Sequence, residues 1–106
     1  MKRISKIILT LVLALFINAY SFAADKITVA AAANLRYVLE ELKQQYVKSH
    51  KDTQIDIVFG ASGTLTQQIV NGANFDLFLA ANTKFPEEVI SKGFGHGKSV
   101  VYCYGK

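Results

Sequence analysis

The chain reads as a doubly wound α/β domain with a mostly parallel sheet. Two observations predict this: apolar runs with strand character alternate with segments of helical period, and no internal repeat or low-complexity linker interrupts them. Short glycine- and hydroxyl-containing junctions separate the elements. Crossover units of this kind place helices on both faces of the sheet.

The elements follow in order. "KITVAAAA" is a continuous apolar run, as expected of a strand covered on both faces. "LRYVLEELKQQYVKSH" carries Leu35, Val38, Leu39, Leu42 and Tyr46 at helical spacing, which predicts a helix with one buried face. "TQIDIVFG" is a second strand, and "GTLTQQIVNG" a short helix closed by Gly72, where a left-handed residue costs least. "FDLFLAAN" is a third strand. "TKFPEEVISKG" is a third helix, with Pro86 and two acids near its start and Gly93 after its end. "KSVVYCYG" completes the pattern as a fourth strand that reads as central.

Ahead of these elements, Lys2, Arg3 and Lys6 precede an apolar block from Ile7 to Ile17, and Ser21-Phe22-Ala23 follows. This is the pattern of a secretory signal peptide over residues 1–23 with small residues at the cleavage site. The block is about half the ~20 residues a membrane span needs. No cysteine stands at the site to accept a lipid, so the expected product is a soluble exported protein starting at Ala24.

Cleavage changes the charge balance. Three of the twelve basic residues and none of the eight acidic ones lie in the leader, so nine against eight leaves the mature chain near +1. That excludes the clustered positive face a nucleic-acid binder requires. Cys103 is the single cysteine and can form no internal disulfide; between Tyr102 and Tyr104 it reads as a strand residue. His50 and His96 are too isolated for a metal site. Gly97-Lys98-Ser99 resembles the end of a phosphate loop, but Lys92 stands where that motif needs its first glycine.

Sheets of this class bind ligands outside the carboxyl ends of their strands. Two junctions, "AAAANL" and "VFGASGTL", fall there. Asn34 is the expected N-cap of the first helix, and Ser62 or Thr64 that of the second. Helix starts leave N–H groups unpaired and carry partial positive charge, so two of them facing one crevice make an anion site without lysine or arginine. The Asn34 amide and Ser62 hydroxyl add donors, Leu35 and Gly63 are candidate backbone donors, and the small residues around them admit close approach. A single capping residue would carry no such argument; its recurrence at two adjacent units does.

"KITVAAAANLRYVLEELKQQY", "VFGASGTLTQQIVNGANFDLFLAAN" and the spacing between them resemble the N-terminal part of periplasmic molybdate-binding proteins, the substrate-binding components of molybdate ABC importers. The resemblance runs through nearly all of the mature chain. It implies a type II periplasmic-binding-protein fold of two α/β domains closing on the ligand. Residues 24–106 would be the first part of domain I, with the second domain outside this chain. It implies molybdate or tungstate held through its oxygens at Asn34 and Ser62, with no cation-ligating side chain and no cofactor. It also implies a monomer that delivers to a membrane permease. Family members carry serine or asparagine at the Asn34 position. Another oxyanion, such as sulfate or phosphate, is the alternative within binding proteins. Phosphate would favour a carboxylate to accept its proton, and Asp76, the nearest, reads as a backbone cap. A serine hydrolase is a further alternative, but no histidine lies near Ser62 in sequence, and Gly60 and Gly63 do not frame it as a nucleophile elbow does.

The mature N-terminus is expected at Ala24, because Ser21 and Ala23 then occupy the two small-residue positions of the cleavage site. Mass spectrometry of the exported protein checks this, and retention of Met1 contradicts it.

Overall fold

The computed structural model describes residues 6–11 and 25–104. Residues 6–11 are helical, and the expected cleavage site lies outside the described residues. No helix among the described residues is long and apolar enough to cross a membrane.

Strand β1 (Asp25–Ala32) leads through a 3-10 turn (Ala33–Leu35) into helix α1 (Arg36–Ser49). Strand β2 (Thr53–Gly60), helix α2 (Ser62–Val70), strand β3 (Leu77–Leu79) and helix α3 (Lys84–Ser91) follow. The sheet is parallel throughout, in the order β2-β1-β3. β1 is thus the central strand, and its last four residues, Val29 to Ala32, are buried as the apolar run predicts.

Pleating assigns the helices to faces, since neighbouring strand residues point to opposite sides. The Arg36 guanidinium of α1 lies 4.5 Å from the centroid of the Phe59 ring. A methyl added at Gly60, the next residue, would stand 3.4 Å from Leu65 of α2. The two helices therefore cover opposite faces. α3 packs beside α2, its Phe85 ring 3.6 Å from where a methyl on Gly63 would be.

The core forms around the central strand. Leu65 and Thr66 are fully buried beneath α2, with Ile69 nearby, and Val89 anchors α3. The Thr66 hydroxyl donates to the Ser62 carbonyl at 2.7 Å, so its burial leaves no orphan donor. Gly72 and Gly93 end α2 and α3 with φ of 105° and 86°. In each case the glycine N–H and the following N–H bond back to the last turn, which is the Schellman arrangement.

Register along β1 and β2 matches from Asp25 with Thr53 to Ala32 with Gly60. The Lys26 ammonium lies 3.3 Å from the Asp56 carboxylate on the same face. The Gln54 amide and the Lys26 ammonium hold that carboxyl below its ordinary range. Being exposed, the pair is a register marker more than a source of stability.

The sequence-based expectations need correction at three places. The third strand is shorter than "FDLFLAAN", because groups at both ends are engaged outside the ladder. Before it, the Asp76 carboxylate takes the Thr28 N–H at 2.8 Å in place of a strand carbonyl, although Asp76 N–H still donates to the Thr28 carbonyl of β1. After it, the Ala80 carbonyl and Ala81 N–H bond to side chains. Second, "KSVVYCYG" forms no strand over its described residues; its apolar character fits a pleated surface, but no strand edge pairs with it here. Third, the apolar face of α1 is not buried: Val38, Leu42 and Tyr46 are 47, 53 and 42 % exposed. Spacing predicts that a face is apolar, and says nothing of whether an element lies against it.

Asp76→Ala removes the cap on Thr28 N–H, for an expected loss of about 1 kcal/mol. Urea unfolding checks this, and an unchanged midpoint would show that water replaces the carboxylate without cost.

Candidate functional site

The register of the sheet fixes where the two junctions stand. Ala32 pairs with Gly60, so Asn34 and Ser62 each lie two residues beyond matched positions, at the same carboxyl edge. Helix α2 then leaves β2, crosses β1 and returns the chain to β3. That crossing brings Ser62 against the end of the third strand: Ala81 N–H donates to Ser62 Oγ at 3.0 Å.

Neither expected cap performs capping. The N-cap of α2 is Ala61, Ser62 is its first helical residue and Thr64 its third, and no side chain closes that helix start. Ser62 is unavailable for the task because its hydroxyl oxygen is turned to Ala81. Asn34 sits inside the 3-10 turn, and Leu35 is the N-cap of α1, again without a side-chain bond. The turn adds a short helical step after β1, moving Asn34 out of the capping position.

These corrections leave more donor capacity at the edge. Ser62 is buried, at 7 % exposure, and its oxygen accepts from Ala81. Its one proton has no acceptor among the described residues. The exposed Asn34 side chain likewise makes no hydrogen bond among them. The first turn of α2 begins its ladder with Leu65 N–H donating to the Ala61 carbonyl, so the N–H groups of Ser62, Gly63 and Thr64 precede the helix's own acceptors. Leu35 and Gly63, the candidate backbone donors, are both half-buried.

Asp76 is far from this edge. It caps the opposite, amino end of the β1–β3 pair, about five residues or roughly 16 Å of extended chain from Ala81. Among the described residues no group of histidine, cysteine and acidic side chains could hold a metal ion, and no histidine or carboxylate is hydrogen-bonded to Ser62.

Beside the edge, a cavity of about 710 Å³ lies between β3, α3 and the C-terminal residues. Its lining includes Asn34, Leu35, Ala81, Asn82, Phe94 and Tyr102. Ser62 and Gly63 do not line it, so the cavity takes in only one of the two junctions. Asn82 is occupied: its side-chain oxygen accepts Lys84 N–H at 3.0 Å and closes the start of α3.

Two contributors escaped the sequence reading. Ala81 and Tyr102 are 19 and 40 residues from Ser62, and the Tyr102 hydroxyl donates to the Ala80 carbonyl at 3.1 Å. Partial burial, with a smaller contribution from neighbouring Cys103, raises the Tyr102 phenol above its ordinary value. No local signal marks either contact; only the small residues "LAAN" after the third strand hint at a close approach.

The described residues form a parallel sheet with donor-rich junctions gathered at one carboxyl edge, the geometry in which sheets of this class take a small solute. Residues 27–106 match the profile of the bacterial extracellular solute-binding proteins, and the chain belongs to that family. It is 33% identical to the molybdate-binding protein ModA of Haemophilus influenzae over 87% of this chain and 36% of that protein. It is 42% identical to a putative ABC transporter substrate-binding lipoprotein, YvgL, of Bacillus subtilis, over 59% of this chain and 25% of that one. Among solved structures, the substrate-binding domain of a putative molybdenum ABC transporter from Clostridium difficile superposes with a TM-score of 0.64 at 30% identity. That superposition covers 66% of this chain and 31% of the other. The periplasmic molybdate-binding protein of Azotobacter vinelandii gives 0.59 at 36% identity, over 63% and 29%. The chain thus spans about a third of the length of the relatives it matches.

Because Ser62 also accepts Ala81 N–H, Ser62→Ala is expected to lower the unliganded melting temperature by several degrees, about 1 kcal/mol, whereas Asn34→Ala leaves it in place. Differential scanning calorimetry of the two variants checks this, and equal melting temperatures contradict it.

Proposed function

We propose that the protein captures molybdate, and tungstate with it, in the periplasm and delivers it to the membrane permease of an ABC importer. The observation that carries this reading is the pairing of Asn34 and Ser62 at one carboxyl edge, each with hydrogen-bond donors to spare. Molybdate and tungstate are fully deprotonated at neutral pH and need only donors. Asn34 supplies its side-chain amide, Ser62 its hydroxyl proton and Gly63 its N–H group, whereas the Leu35 N–H is taken up in the 3-10 turn. The positive ends of the two helices add to the attraction. The molybdate-binding names of similar proteins from several bacteria support the same ligand.

Each bond to the anion is charge-assisted and stabilises by roughly 1.5–3 kcal/mol, so several must act together to replace the anion's hydration. The protein works as a monomer, without a cofactor and without catalysing a reaction. Protonated phosphate is disfavoured because the nearest carboxylate, Asp76, is committed to Thr28 N–H at the far end of the strands. A hydrolytic role for Ser62 is disfavoured because its hydrogen-bond partner is an amide N–H, which cannot accept the serine proton.

Calorimetric titration of the full-length protein with molybdate, tungstate, sulfate and phosphate tests the reading. Asn34→Ala and Ser62→Ala are each expected to weaken molybdate binding by about one to two decades. Unchanged affinity in both variants would remove the site assignment, and preference for sulfate or phosphate would replace the ligand.

A further inference from the structure

We propose that Tyr102 is a positioning residue for the oxyanion site, acting on Ser62 through the one peptide group that joins Ala80 to Ala81. The proposal rests on the oxyanion reading above and deepens it.

Two hydrogen bonds meet on that peptide group. Its carbonyl accepts the Tyr102 hydroxyl at 3.1 Å, and its N–H donates to Ser62 Oγ at 3.0 Å. Chemistry fixes the direction of both: a carbonyl can only accept and an amide N–H can only donate. The phenol must therefore give its proton, and the serine oxygen must receive one. The chain runs one way, from Tyr102 through the peptide to Ser62, and ends on the serine's own proton, which has no acceptor among the described residues.

A peptide group transmits polarisation because its C–N bond is partly double. A proton donated to the carbonyl draws electron density from nitrogen and makes the N–H a stronger donor. That in turn polarises the Ser62 hydroxyl toward the anion. Hydrogen bonds in such a row strengthen one another; Ser62 and Ala80 are buried, while Ala81 is exposed and Tyr102 is 52 % exposed, so the gain is modest.

The row also has a positional effect. Ala81 N–H holds the serine oxygen, and Tyr102 holds the peptide plane that carries that N–H. Loss of the phenol hydroxyl would let the plane turn and spread the serine proton over more directions. Tyr102 thus acts at second hand, without touching the anion.

The test uses calorimetric titration of the full-length protein with molybdate and a double-mutant cycle. Tyr102→Phe keeps the ring and removes only the hydroxyl; Kd is expected to rise about threefold to tenfold. In a Ser62→Ala background the same change is expected to alter Kd by less than about twofold, because the path to the anion is already cut. An unchanged Kd in Tyr102→Phe, or an equal loss in both backgrounds, overturns the proposal; the second result is that of a merely structural role. An independent readout needs no variant: the Ala81 amide proton in the wild-type protein is expected to move downfield on saturation with molybdate, and a stationary signal overturns the proposal. A wild-type protein that takes none of the four anions defeats the oxyanion reading, and the relay with it. One that binds molybdate but fails the cycle defeats the relay alone.

Discussion

β1 is hydrogen-bonded along both edges, and over Ala30 to Ala32 it carries nothing larger than methyl groups, at 0 to 3 % exposure. Small side chains on a central strand let covering elements approach closely. Here they allow α2 to cross from β2 to β3 with Leu65 and Thr66 fully buried beneath it. Bulk at Ala30 or Ala32, which share the face of Gly60, would lift α2 and carry Ser62 away from Ala81. The 3.0 Å bond between them therefore depends on two alanines that take no part in it.

The chemistry gathered at the carboxyl edge follows from the same geometry. Parallel strands end at a common level, and each hands over to a helix or turn whose first N–H groups have no acceptor behind them. β1 contributes the Asn34 turn, β2 the Ser62 helix start, and β3 the peptide that holds Ser62 in place. A site assembled this way presents polarised N–H and O–H groups on rigid elements. It needs no buried lysine or arginine, whose desolvation would be costly.

Much of the fold was legible because local and global signals agree. The limits of β2 coincide with "TQIDIVFG", since a turn with Lys51 and Asp52 precedes it and a small-residue junction follows. The glycines at the ends of α2 and α3 have the positive φ their places in the sequence imply. The carboxylate of Asp76 caps a backbone N–H, as its position at the third strand suggested. What sequence could not convey was non-local. Asn34 and Ser62 have the composition of N-caps, yet an inserted 3-10 turn and a contact to Ala81 place both elsewhere. The same holds for Tyr102: its pattern of neighbours reads as strand, whereas its hydroxyl is anchored to the end of another strand. Propensity reports what a residue fits; only the assembled sheet determines what it meets.

Among the described residues the sheet stops at three strands, with β2 and β3 presenting open outer edges. On the face that α1 covers, Val38, Leu42 and Tyr46 add an apolar stripe open to water. Unpaired ladder groups and exposed apolar stripes are both surfaces onto which another chain can add. Within these residues the outer ladder edges of β2 and β3 and the α1 stripe are therefore the surfaces to which a further strand or helix can add.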